Sequence, residues 1–153
     1  MFSNKPLVLV VDDEPIYTEI LYELLKERYD ILPFGDGESV LAALDDDSPQ
    51  RLLDRKPNLF LLDVLMPGIN GYEVCQRIRA KEAFQHTPII FLTVKDNLED
   101  ELYGFEVGAA DYITKPLNPE KVKARVRAHL IQADYRSELE REVEARTREI
   151  QRT

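Results

Sequence analysis

Short apolar runs alternate with amphipathic stretches along the first 130 residues of the chain. Leu7–Val11 (LVLVV), Asn58–Leu62 and Pro88–Leu92 read as strands. The Asn58–Leu62 run lacks polar alternation, which implies burial on both faces of a sheet. Asp30–Phe34 is a weaker strand, and Pro33 within it marks an edge position. Asp111–Ile113 is a short fifth strand. Helical periodicity fills the intervals. The first helix is expected from Pro15 to about Arg28, with Ile16, Ile20, Leu21, Leu24 and Leu25 on one stripe. Gly35-Asp36-Gly37 then turns the chain into a helix over Glu38–Leu44. Others are expected over Tyr72–Ala80 and over Leu98–Val107, which stops at Gly108. Asn118 is a natural N-cap for the last helix, with Pro119 in its first turn, where the missing N–H would be unpaired anyway.

Five βα units of this kind predict an open parallel α/β sheet with helices on both faces and right-handed crossovers. Residues 45–57 (DDDSPQRLLDRKP) are polar and proline-marked, with Leu52 and Leu53 in the middle, and read as an extended loop. From Glu120 to Thr153 there is neither glycine nor proline. A helix of about 33 residues would be roughly 50 Å long. A domain of about 120 residues is only about 30 Å across, so this helix should project from it. Val122, Val126 and Leu130 suit packing on the sheet. Beyond Ala133, Leu139, Val143 and Ile150 fit a heptad seam that Arg136 and Arg146 interrupt. We therefore divide the chain into a domain over residues 1–131 and a helical connector or coiled-coil tail over residues 132–153.

Charge adds one asymmetry. The net charge of −9 combines −12 over residues 1–120 (11 Lys/Arg, 23 Asp/Glu) with +3 over residues 121–153 (9 Lys/Arg, 6 Asp/Glu). An acidic body argues against direct nucleic-acid binding by this chain. No apolar run approaches the roughly 20 residues of a membrane span, and carboxylates end the short N-terminal one, so a cytoplasmic location is expected. Cys75, the single cysteine, reads as a packed helix residue. His86 and His129 show no partner pattern and read as surface or packing residues.

The candidate chemistry sits where the apolar runs stop. Asp12 and Asp13 follow the first strand, Asp63 the third, Thr93 the fourth, and Lys115 the fifth. In an open parallel sheet these carboxyl ends border one crevice, where ligands bind. Three clustered carboxylates repel one another and invite a hard divalent cation such as Mg²⁺, which also shares phosphate ligands readily. Lys115 supplies a point charge for a phosphoryl oxygen, and the Thr93 hydroxyl a further donor. Asp63, after the most central strand, is the best nucleophile, since an aspartate can carry a phosphoryl group as an acyl phosphate.

The segments VLVVDDEP, LLDVLMPGINGYEV, IIFLT and GAADYITKPL, with their spacing, resemble the receiver domain of two-component response regulators over about residues 6–131. That resemblance implies a flavodoxin-like (βα)5 sheet of order 2-1-3-4-5. It implies phosphorylation of Asp63 by a histidine kinase or phosphotransfer protein. Asp13 and Asp63 would bind Mg²⁺ directly, Asp12 mainly through water, and the Leu65 carbonyl would complete the ligands. Thr93 and Lys115 would hold the phosphoryl oxygens, Tyr112 would be the switch aromatic, and the Lys115–Pro116 bond would be cis. On this reading the chain is a phosphorylation switch with self-catalysed phosphotransfer and dephosphorylation, not an enzyme in its own right.

Two features depart from that pattern. Val94 follows Thr93 where the family has a small residue, which narrows access to the site. The interval from Gly37 to Asp63 is long, because of residues 45–57. Dimerisation is expected through the C-terminal helix or the face of the fourth helix, fifth strand and fifth helix. The run KVKARVRAHL…LEREVEARTREIQ resembles a connector to an output domain, such as a cyclic-dinucleotide enzyme, a nucleotide cyclase or a histidine kinase, so a longer protein is expected. The rivals are a stand-alone regulator, a non-signalling dimerisation module, an aspartate-nucleophile phosphatase and a flavodoxin. The phosphatase would need an acid where Leu65 stands, and DDEPIY is too acidic for a flavin phosphate loop.

Overall fold

In a computed structural model the chain forms five parallel strands in the order β2-β1-β3-β4-β5. Residues 3–45, 55–94 and 98–152 are described, with backbone alone at 98–100, 151 and 152. The strands are β1 (Leu7–Val11), β2 (Asp30–Phe34), β3 (Leu59–Asp63), β4 (Ile89–Thr93) and β5 (Asp111–Thr114). The helices are α1 (Pro15–Leu25), α2 (Gly37–Leu44), α3 (Gly71–Arg79), α4 (Leu98–Val107) and α5 (Pro119–Arg152). Most of the expected loop at residues 45–57, including Leu52 and Leu53, lies outside the described residues.

The period of two along each strand sorts side chains between two cores. Leu7, Leu9, Val11, Phe60, Leu62, Ile89, Phe91 and Tyr112 face one layer, which holds Val40 and Leu44 of α2 and Val74, Cys75 and Ile78 of α3. Val8, Val10, Leu59, Leu61, Ile90, Leu92 and Ile113 face the other, against Leu21 and Leu25 of α1 and Val122, Val126 and Leu130 of α5. Every residue of β1, β3 and β4 is buried, so these strands need apolar side chains at odd and even positions alike. Edge strand β2 is half-buried, and its Pro33 falls where an unpaired N–H would otherwise be exposed.

Strands β3 and β4 each lie one residue later than the hydrophobic runs predict. Asn58 is a lead-in: its side chain accepts from Leu7 N at 2.8 Å, and its own N–H donates to Leu7 O at 2.8 Å. The shift places Asp63 and Thr93 inside the ladder, with Asp63 beside Leu92 and Thr93 beside Thr114.

The expected α1 stripe requires correction. Ile16 is 61% exposed and Ile20 37% exposed, while Leu21 and Leu25 are buried. At about 100° per residue, Ile20 lies about 100° from Leu21, off the face that meets the sheet. The stripe is Tyr17, Leu21, Leu24 and Leu25, all buried or half-buried. Helix α1 also ends at Leu25 rather than near Arg28, because the chain turns there (Tyr29 N to Leu25 O, 3.0 Å) and buries Tyr29.

Local caps follow the sequence. Asp36 accepts from Ser39 N at 2.7 Å, Asn70 from Glu73 N at 3.0 Å, and Asn118 from Glu120 N at 3.0 Å and Lys121 N at 3.2 Å. A 3₁₀ turn over Glu82–Phe84 has no counterpart in the sequence expectations. It seats Phe84 edge-on against Phe60, with centroids 5.7 Å apart. Arg79 holds this corner together: its guanidinium donates to Phe84 O (2.7 Å), Thr87 O (2.6 Å) and Gly108 O (3.0 and 2.8 Å).

Helix α5 runs unbroken for 34 residues. Its root is buried at Val122, Val126 and Leu130, while Tyr135, Leu139, Val143 and Ile150 are exposed. No helix among the described residues is long and apolar enough to cross a membrane.

Candidate functional site

The carboxyl ends of β1, β3, β4 and β5 meet at one edge of the sheet, and backbone bonds between neighbours set their relative height. Asp12 N donates to Phe34 O (3.1 Å), Val64 N to Leu92 O (3.1 Å) and Lys115 N to Thr93 O (2.8 Å). This places Asp12, Asp63, Thr93 and Lys115 side by side, all buried, with Asp13 exposed at the mouth.

Asp12, Asp13 and Asp63 each offer a carboxylate oxygen within 4.8 Å of the others. Lys115 Nζ lies 2.7 Å from Asp12 Oδ2, 3.5 Å from Asp63 Oδ2 and 3.6 Å from Glu14 Oε2. One ammonium thus faces several carboxylates, and the cluster keeps an excess of negative charge. The contact with Asp12 is an ion pair without the alignment of a hydrogen bond. Asp12 Oδ2 is buried with no directed donor, although its Oδ1 accepts from Glu14 N at 2.9 Å. The Lys115 ammonium balances this buried oxygen, while the further carboxylates of Asp13 and Asp63 leave negative charge that a bound cation would neutralise.

The electrostatics follow from this crowding. Burial, and then the charge of Asp12, push the Asp63 carboxyl up to about 7; Lys115 and the Leu65 N–H oppose the shift. The Leu65 N–H donates to Asp63 Oδ1 at 3.3 Å. For Lys115, burial lowers the ammonium pKa, but the contact with Asp12 and the charges of Asp12, Asp63 and Glu14 outweigh it, so the net shift is upward. Lysine is therefore a fixed positive charge here.

Gly71 closes the site from below. A Cβ there would overlap the Asp63 carbonyl oxygen and lie 3.0 Å from Val64 Cα. The first turn of α3 packs directly on the end of β3, with Gly71 N donating to Val64 O at 3.0 Å.

The structure brings all five expected strand-end residues together. Leu65 follows at the mouth, 51% exposed, and Val94 is 63% exposed, so its side chain stands in solvent rather than filling the acidic cluster. The Lys115–Pro116 bond is cis. Tyr112 lies deeper in the sheet, and its hydroxyl donates to Glu101 O at 3.2 Å. Two neighbours escaped the sequence reading. Tyr17 lies beneath Lys115, its ring centroid 3.9 Å from Nζ, and Glu14 joins the carboxylates around the same ammonium. The DDEPIY run holds both, but only the path of α1 over the site shows the contacts. His129 also has a partner that the sequence did not show: its Nε2 lies 2.9 Å from Asp111 Oδ2, away from the acidic cluster.

Fold and site together define a doubly wound α/β domain with an acidic, lysine-bearing pocket at its switch edge. Comparison with known proteins gives the family. Residues 8–127 match the response regulator receiver domain, and the chain belongs to that family. The alkaline phosphatase synthesis transcriptional regulatory protein PhoP of Bacillus subtilis is 39% identical over 127 residues, 83% of this chain and 49% of that protein. The DNA-binding response regulator MtrA of Mycolicibacterium smegmatis is 40% identical over 131 residues, 85% of this chain and 53% of that protein. The chain thus spans about half the length of the curated relatives it matches. Among solved structures, the BeF3-activated DrrB receiver domain superposes with a TM-score of 0.71 at 33% identity, covering 82% of this chain and 97% of that one. The DrrB response regulator of Thermotoga maritima, an OmpR/PhoB homolog, gives 0.71 at 34%, covering 84% and 54%. The chain is therefore a receiver domain of two-component response regulators, a phosphorylation switch at the level of its family. Such regulators receive phosphoryl groups from histidine kinases.

Proposed function

We propose that Asp63 is the phosphoacceptor and that the strand-end residues around it form its reaction pocket. The observation that carries this reading is the carboxylate triad of buried Asp12 and Asp63 with exposed Asp13, and Lys115 shared between Asp12 and Asp63. An Asp63 carboxylate oxygen attacks the phosphorus of a phosphohistidine on a kinase or phosphotransfer protein. The new O–P bond forms as the P–N bond breaks, and the electron pair leaves with the imidazole. Catalysis of such a step is mostly positioning and neutralisation of charge.

The all-oxygen donor set, with more carboxylates than the single Lys115 ammonium can balance, fits Mg²⁺. Asp13, Asp63 and the Leu65 carbonyl would hold the ion, with Asp12 acting through a water. When bound, it supplies positive charge for the phosphoryl oxygens. Lys115 then exchanges its contact with Asp63 for a phosphoryl oxygen, and the Thr93 hydroxyl donates to another. Because Lys115 N is bonded to Thr93 O, the two respond together. Water attack on the same phosphorus would return the carboxylate, so the pocket also sets the lifetime of the signal.

Exposed Ile16 and Ile20, on the helix that follows Asp12 and Asp13, offer an apolar surface beside the pocket for the phosphodonor. Tyr112 and the face of α4, β5 and α5 carry the response. The tail of residues 132–153, with its exposed seam at Leu139, Val143 and Ile150, serves as a dimerising or connecting segment beyond the domain of residues 1–131.

The deciding experiment is incubation with acetyl phosphate and Mg²⁺, read by intact mass. Wild type should gain one phosphoryl group and Asp63→Asn none. An unmodified wild type, or an equally modified Asp63→Asn, would refute the assignment.

A further inference from the structure

Gly104 sits in the middle of α4, where glycine weakens a helix. Its backbone does not require glycine: among the described residues positive φ occurs only at Gly68 and Gly108. What requires it is space. A Cβ at position 104 would overlap the Tyr112 hydroxyl, lie 2.6 Å from Tyr112 Cζ and 3.1 Å from Phe91 Cδ2.

Tyr112 fills that slot. It is 6% exposed, and its ring packs against Phe91 and Phe105, with centroids 5.6 and 5.5 Å away. Its hydroxyl reaches the backbone of α4 at Glu101 O. Tyr112 also belongs to the strand that leads into Lys115, paired with the strand that ends at Thr93. Its side chain ties this corner of the phosphoryl pocket to the backbone of α4.

We propose that Gly104 is a positioning residue for the switch: its absent side chain is the slot that admits Tyr112 against α4. Any side chain there expels the ring and uncouples α4 from the pocket. The coupling rests on the phosphoacceptor reading above, whereas the slot itself does not. Overlap with the end of a rotatable side chain is relieved by swinging the tyrosine outward, so Gly104→Ala should remain folded.

The test is a two-by-two set of full-length chains: wild type, Gly104→Ala, Tyr112→Ala and the double variant. In the wild-type background Gly104→Ala should lower Tm. In the Tyr112→Ala background the same substitution should raise Tm, because the ring is gone and alanine favours the helix. The same sign in both backgrounds would overturn the proposal. In a chain with labelled tyrosine rings, Gly104→Ala should move the Tyr112 resonances away from their ring-current-shifted positions; unmoved resonances would also overturn it.

Addition of beryllofluoride and Mg²⁺ then separates the two readings. Gly104→Ala should still show shifts around Asp63, but not the wild-type shifts in α4. Persistence of the α4 shifts would refute the coupling. Absence of any shift in wild type would instead refute the phosphoacceptor reading, while the Tm signs and the ring resonances still decide the slot.

Discussion

At the residue scale the chemistry turns on how much negative charge one lysine can balance. Asp63 is an ordinary carboxyl made reluctant to ionise by burial and by Asp12, with a folded-state value near 7 against 3.8 in the unfolded chain. Between those values the native state binds more protons than the unfolded state, so stability falls as pH rises. Metal-free protein should therefore lose Tm from about pH 4 to about pH 7, and Mg²⁺ should restore more of it at pH 8 than at pH 5. A flat metal-free profile across this range would contradict the assignment. The identities of these residues were legible in the sequence because each follows an apolar run, and strand ends of a parallel sheet converge. What was not legible was contact between side chains of neighbouring elements. Tyr17 under Lys115 and Asp111 beside His129 depend on how α1 and α5 cross the sheet, which no local pattern encodes.

At the scale of elements, two joints hold the site and the switch face in register. The first is the contact of α3 on the end of β3. Gly71→Ala would press a methyl group into the Asp63 backbone, which cannot rotate away, and should cost about 1–3 kcal/mol, measurable by urea unfolding. The second is Arg79, whose guanidinium serves three backbone carbonyls from two segments, the α3–β4 connection and the end of α4. Arg79→Met would leave those carbonyls without their charged donor and should cost about 2–3 kcal/mol in the same assay. Arg79→Lys should recover only part, since an ammonium lacks the planar fork. Strand limits to one residue and the cap at Asn118 follow patterns of two to four residues, whereas the strand order came only from the family resemblance, and the caps at Asp36 and Asn70 were not read. The α1 stripe failed for a geometric reason. Ile16 and Ile20 lie four apart and resemble a core face, but the sheet meets the helix about 100° further round. Their exposure supports a partner surface: Ile20→Glu should slow phosphotransfer from a kinase several-fold and leave modification by acetyl phosphate unchanged.

At the scale of the whole molecule, α5 is the feature that leaves the domain. Its apolar tail residues are exposed, and Arg136 and Arg146 break their seam, so any dimer they form is weak. Removal of residues 138–153 should lower the weight-average mass in sedimentation at high concentration if the tail pairs. The same helix has a thermal consequence. An isolated helix must first form a costly nucleus, but here the root is already held in place by Val122, Val126 and Leu130. Beyond Ala133 the tail needs only elongation, one hydrogen bond per residue. It is helped by the pairs Arg136–Glu140 and Glu144–Arg148, of which the second has the favoured polarity. Elongation without a nucleation barrier is graded. The tail should shorten residue by residue from Arg152 on warming, as a sloping loss of helical ellipticity below the cooperative melt of the sheet, so its reach would vary with temperature while the pocket stays intact.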